Sequence, residues 1–147
     1  MASLEGAIKF AVAWEEDAMR KYIAWGGQTT NLNAKKLFQN LARMEARHIS
    51  LLRGIDVGRD IDVRVEATGW LDLSQGMTSY PTTGDRELKH IFEYALSKEE
   101  DSMRRYASLA QTVGNGKLRG LFTRLVNEER YHKTLLREQY NRLLRPY

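Results

Sequence analysis

The 147-residue chain contains no cysteine. That absence excludes disulfides, iron–sulfur clusters, thiolate zinc sites and a cysteine nucleophile, and leaves nitrogen and oxygen to hold any metal. No window of about 20 apolar residues occurs, so a membrane span is not expected. The stretch from Met1 to Trp14 lacks a basic region ahead of a long apolar run. A secretory leader is therefore not expected, and a cytoplasmic location is. A dense run of Lys and Arg interleaved with aromatics is also missing, so the net charge of +4 and the pI of about 9.4 describe a solvated basic surface. A nucleic-acid groove is not expected.

What is present is a repeat. Shifted by 84 positions, Glu15-Glu16-Asp17 with Met19 and Tyr22 falls on Glu99-Glu100-Asp101 with Met103 and Tyr106. The same shift puts Leu37-Phe38, Leu41, Glu45 and His48 on Leu121-Phe122, Leu125, Glu129 and His132, without a gap. In each half the apolar residues recur at steps of three and four, the stripe of an amphipathic helix. Breakers fall at Gly26-Gly27 through Asn31 and at Gly114-Asn115-Gly116. Each repeat is thus predicted to be a helical hairpin, with helices near 4–26, 32–53, 85–112 and 117–143. The expected fold class is all-α: a four-helix bundle of two helical hairpins joined by a long crossover, spanning 1–147 as a single domain. Repeat 1 covers about 4–53, the crossover 54–84 and repeat 2 about 85–143. A connection of that length can run from one end of a bundle to the other. A short helix or strand is predicted within Ile61 to Leu73.

The charged residues inside the apolar stripes carry the chemistry. Glu15 lies between Ala11 and Ala18; Glu45 and His48 lie between Leu41 and Leu52; Glu99, Glu129 and His132 repeat them. Four ionised carboxylates facing one another in a bundle interior are costly unless protonated, paired or bound to cations. Antiparallel partners sit at one height only when equidistant from their turn. Glu15 and Glu45 have their midpoint at Thr30, and Glu99 and Glu129 at Gly114, both within predicted turns. Each pair therefore lies roughly 22 Å down its hairpin at 1.5 Å per residue, near mid-bundle. Within Glu45-x-x-His48 and Glu129-x-x-His132 the two side chains share a helix face. One Glu from each of two helices and a Glu-x-x-His from each of the others is the ligand pattern of di-iron carboxylate bundles. The metal ligands expected are Glu15, Glu45, His48, Glu99, Glu129 and His132, with Glu16, Glu100 and Glu128 as alternates. Glu87 and His90 share the spacing but have no counterpart 84 residues on, and are read as surface residues.

These residues resemble the rubrerythrin branch of the ferritin-like di-iron proteins, and the resemblance covers both repeats. It implies a ferritin-like fold with two iron ions, manganese or zinc being alternatives. It implies that Glu45 and Glu129 bridge the ions, that Glu15 and Glu99 each bind one, and that His48 and His132 cap them. Tyr22 and Tyr106 would donate hydrogen bonds to the ligands and serve catalysis from behind them. Two features depart from the family pattern. The Cys-rich rubredoxin-like part that feeds electrons to the site is not in these residues. An additional Glu three residues after the third-helix ligand is Ser102 here.

By this resemblance the chain is an oxidoreductase that reduces peroxide or O₂ or oxidises Fe²⁺, drawing on an external electron donor. Alternatives are an iron carrier, sensor or store without turnover, and a di-iron hydroxylase of an organic substrate. Neutralising the four ligand glutamates raises the outer charge from +4 to +8, which favours an acidic donor. Homo-oligomerisation is expected; nucleic acid and membrane are not expected as partners.

Overall fold

The computed structural model describes residues 2–55, 64–65, 88–114 and 116–144. Four helices, α1 (Leu4–Gln28), α2 (Leu32–Arg53), α3 (Leu88–Thr112) and α4 (Gly116–Leu144), account for nearly all of them. α1 packs along α2 and α3 along α4, and α2 also touches α4, which gives the all-α four-helix bundle of two hairpins. Two two-residue strands, β1 (Ala2–Ser3) and β2 (Arg64–Val65), pair antiparallel with Ala2 opposite Val65. β2 falls in the predicted 61–73 segment and lies against α1 and α3. The rest of the predicted crossover, 56–63 and 66–84, lies outside the described residues.

The first turn is shorter than the breakers predict. Gly26 and Gly27 belong to α1, which runs on to Gln28. Gly26 is buried against α2, where an added Cβ would stand at an ordinary 3.4 Å from the Cβ of Phe38. The real turn is residues 29–31. Asn31 starts α2 by accepting a hydrogen bond from the Ala34 backbone N–H at 2.9 Å, which satisfies one of the unpaired donors at a helix start. Gly116 likewise opens α4 rather than ending the turn before it. A first helical residue has no intrahelical N–H bond to lose, so glycine is cheap there.

The core divides into two apolar clusters. One gathers Leu4, Ile8, Trp14, Leu109, Phe122 and Leu125; the other gathers Tyr22, Trp25, Phe38, Leu41, Phe92 and Leu136. Phe38 stacks on Tyr22 at 6.1 Å between ring centroids and meets Phe92 at 5.3 Å. Burying each such side chain stabilises the fold by about 1.5–3 kcal/mol. Along each helix the charged ligand-type residues fall between the two clusters, so the polar layer is sealed above and below by hydrocarbon and aromatic rings.

Candidate metal centre

Each helix contributes from its buried face. Glu15 and Glu99 come from α1 and α3, and Glu45 with His48 and Glu129 with His132 come from α2 and α4. All six are between 0% and 2% exposed. The repeat written in the sequence becomes a near-twofold arrangement in space. His48 Nδ1 lies 2.9 Å from Glu129 Oε1, and His132 Nδ1 lies 2.8 Å from Glu45 Oε1. Both imidazoles stand 3.4 Å from the glutamate of the preceding helix, His48 from Glu15 and His132 from Glu99. The two rings stack at 5.4 Å with 9° between their planes.

Behind the carboxylates two tyrosines cross over between the hairpins. Tyr22 of α1 donates to Glu99 Oε1 at 2.5 Å, and Tyr106 of α3 donates to Glu15 Oε1 at 2.7 Å. Each leaves the other oxygen of its carboxylate pointing inward without a partner. The unpartnered buried atoms of the site are Oε2 of Glu15 and Glu99, Oε1 of Glu45, both oxygens of Glu129, both nitrogens of His48 and Nδ1 of His132. The close approaches between them do not have hydrogen-bond geometry. Buried polar atoms are normally paired, and a cluster of orphans facing one another is an arrangement that a bound cation would satisfy.

The donor set fits two such cations. Glu15, Glu45, His48 and Glu129 each present an atom within 4.8 Å of the others, and so do Glu45, Glu99, Glu129 and His132. Glu45 and Glu129 belong to both groups. Two divalent ions carry the charge that four carboxylates need, and oxygen with imidazole nitrogen suits iron, manganese or zinc.

Electrostatics without the ions show the strain that cations would relieve. Burial pushes Glu129 well above the usual carboxylate range, and the charges of Glu99 and Glu15 push it further. Burial works in the same direction on Glu99, but the facing His132 charge, together with the Tyr22 hydrogen bond, overcomes it and holds Glu99 at about 2. Burial would lower His132; the Glu99 carboxylate outweighs it and raises the imidazole. Tyr22 and Tyr106 are raised by burial and by the surrounding carboxylates, so both stay protonated donors.

The alternates stand apart from both four-residue groups. Glu16 is bound to Arg53 at 2.8 Å, and Glu100 to Lys133, on the outside of the bundle. His90 is 59% exposed beside Glu93, as a surface residue should be; Glu87 lies outside the described residues. Glu128 has a different place. Its Oε1 accepts from Arg47 at 2.6 Å and approaches His48 Nε2 to 3.4 Å, from the side away from the carboxylates. The sequence marked it only as a spare ligand, because its counterpart 84 residues earlier is Met44, which offers no carboxylate. Carboxylates on the outer nitrogen of a ligating imidazole fix its orientation and basicity. Glu128→Ala is expected to weaken metal binding about 10–100-fold, mainly at the His48 side, in a competition titration against a chromophoric chelator. Unchanged affinity at both ions would refute that role.

Ser102 and Trp14 were not singled out as a pair by the sequence. Both are buried, and the Trp14 indole N–H donates to the Ser102 hydroxyl between α1 and α3. Lys98 and Arg105 lie over the Trp14 ring, 4.6 Å and 4.0 Å from its centroid. Lys98 in turn pairs with Asp17, which also holds Lys21 at 2.6 Å.

Compared with curated proteins and with solved structures, the chain finds no match. The rubrerythrin family model matches residues 6–140, which takes in both hairpins and all six residues of the two metal-type groups. With a match over nearly its whole length, a ferritin-like four-helix bundle and two overlapping groups of buried carboxylates and histidines, the chain belongs to the rubrerythrin family.

Proposed function

We propose that this chain is a di-iron carboxylate oxidoreductase that reduces peroxide or O₂, or oxidises Fe²⁺, using electrons from an external donor. The observation that carries the proposal is the pair of overlapping four-residue groups, sharing Glu45 and Glu129, whose inward atoms have no other partner. Glu15, Glu45, His48 and Glu129 would hold one ion and Glu45, Glu99, Glu129 and His132 the other. Two adjacent iron ions supply two electrons to a single O–O bond, so that it need not break through a free radical.

The protein's own residues do the rest. Tyr22 and Tyr106 hold Glu99 and Glu15 by one oxygen each and keep their other oxygens aimed inward. Phe38, Leu41, Phe122 and Leu125, all fully buried, keep bulk water from the polar layer and restrict what reaches it. Glu129 and His132 favour their protonated forms in the metal-free site. Metal loading has to displace those protons, so affinity should fall as pH is lowered.

The test is consumption of hydrogen peroxide by iron-loaded protein with a small-molecule reductant, followed by absorbance. Turnover is expected in the wild type and a loss of at least about 100-fold in Glu45→Ala, since an ion missing a shared ligand leaves the pair incomplete. Absence of turnover with peroxide, O₂ and Fe²⁺ alike would leave a metal carrier or store as the reading.

A further inference from the structure

Charge is not spread evenly over the bundle. α2 and α4 carry twelve Lys and Arg, against only two acids outside the metal-type groups, Glu128 and Glu138. α1 and α3 carry seven Lys and Arg against six such acids. Since α2 touches α4, the excess lies on one side of the molecule. Where the two helices meet, Glu128 does little to offset it, because Arg47 and Arg124 both bind its carboxylate, at 2.6 Å and 3.2 Å. These arginines remain 58% and 56% exposed. Lys36 and Arg43 lie on the same outer stripe of α2 as Arg47, at helical spacing, and both are exposed.

An aromatic sits among these cations. Tyr131 is three residues beyond Glu128 and seven beyond Arg124, on the same side of α4, and is 55% exposed. Exposed Tyr beside Arg is the composition of a protein interface rather than of ordinary solvated surface. The candidate metal centre lies close beneath, since the Glu128 oxygen that Arg47 binds also stands 3.4 Å from the outer nitrogen of His48.

We propose that the outer α2/α4 face, centred on Arg43, Arg47, Arg124 and Tyr131, is a docking face for an acidic partner protein. Charge complementarity selects the partner. A second copy placing this face against itself would oppose cation to cation, which costs rather than contributes. A nucleic acid would find one tyrosine and no groove of stacked aromatics. On the functional reading above, on which this role depends, the partner is the external donor: each encounter oxidises its redox centre by one electron and reduces the site by that electron. The docking itself does not depend on that reading.

The test measures binding of two probes, an acidic ferredoxin and an acidic flavodoxin, to immobilised full-length chain, with and without metal, at low and at physiological salt. At least one probe should bind the wild type at low salt and weaken steeply as salt is raised. Lys36→Glu with Arg43→Glu should weaken binding at least about tenfold, and Tyr131→Ala about fivefold, through loss of the central contacts. The charge-matched control Lys9→Glu with Arg104→Glu, on α1 and α3, should change it less than about twofold. None of these side chains contacts the candidate ligands, so peroxide turnover with a small-molecule reductant should be unaltered in all of them. Three results would each overturn the proposal: no binding of either probe, equal weakening by the control pair, or tighter binding of an oligonucleotide lost with Lys36 and Arg43. Absent turnover alongside binding that is lost with Lys36, Arg43 and Tyr131 would instead sink the redox role and leave the docking face standing.

Discussion

Glu129→Leu should make the metal-free protein more stable and the metal-loaded protein less so. In the metal-free chain Glu129 is 1% exposed, its two oxygens have no partner, and burial with two neighbouring carboxylates drives it toward its protonated form. Replacing a buried ionisable cluster member by a hydrocarbon of similar volume removes that penalty and is expected to stabilise by about 1–4 kcal/mol. For a chain of this length that corresponds to a rise in Tm of roughly 2–4 °C per kcal/mol. With metal the order reverses. Ligand bound only to the folded state stabilises by about 4 kcal/mol at a thousandfold excess over Kd, and the variant, missing a residue shared by both groups, forfeits most of it. Thermal melts of both proteins with chelator and with ferrous ion give the four numbers. A variant less stable than wild type under both conditions would mean that Glu129 is held for the fold and not for a cation.

Trp14→Ala should be the most damaging single truncation in the apolar cluster of Leu4, Ile8, Leu109, Phe122 and Leu125. The residue is fully buried, is the largest of the fully buried side chains, and supports both Lys98 and Arg105 over its ring. Truncating a buried Trp costs about 3–5 kcal/mol through lost transfer energy and the cavity left behind. Lys98, only 7% exposed, would in addition lose the ring beneath it. Trp14→Phe keeps an aromatic face but loses ring volume and the indole donor to Ser102, so it should cost about 1–2 kcal/mol, part of which Ser102→Ala should restore by removing the orphaned acceptor. Chevron or equilibrium denaturation of the three variants measures this. A cost below about 1 kcal/mol for Trp14→Ala would show that the contacts between α1 and α3 contribute little.

The helices and the composition of the candidate centre were legible because both rest on strong sequence signals. A repeat of 84 residues fixes the relative register of the two hairpins, and charged residues in an apolar stripe mark positions that need a cation or a proton. Glu15 and Glu45 come level because their midpoint, Thr30, lies in the turn at 29–31, and Gly114 does the same for Glu99 and Glu129 between α3 and α4. α1 runs two residues past its expected end at 26 for a local reason. Gly26 disfavours helix by propensity, yet the helix runs past it because its buried face packs along α2.

What the sequence hid lies where the repeat is broken. Glu128 matches Met44, and Trp14 matches Lys98, so neither shows up by self-comparison, although Trp14 and Lys98 end up on top of one another between α1 and α3. Departures from symmetry such as Ala18 against Ser102 acquire meaning only when the partner across the bundle is visible. The two-residue pairing of β1 and β2 offered no alternation to read. The uneven charge is not legible along the chain, where the cations look scattered; only the contact of α2 with α4 collects them on one side.

The most direct test of the account is the metal content of the chain. Protein purified without chelator and loaded anaerobically with ferrous ion should hold close to two ions per chain by elemental analysis, as two overlapping donor groups imply. Glu45→Ala and Glu129→Ala should each lose one or both, while Glu16→Ala, altered outside the groups, should retain the full complement. A wild-type chain that stays empty after loading, or variants that bind as much as wild type, would contradict the account and leave a helical bundle whose buried carboxylates have no explanation.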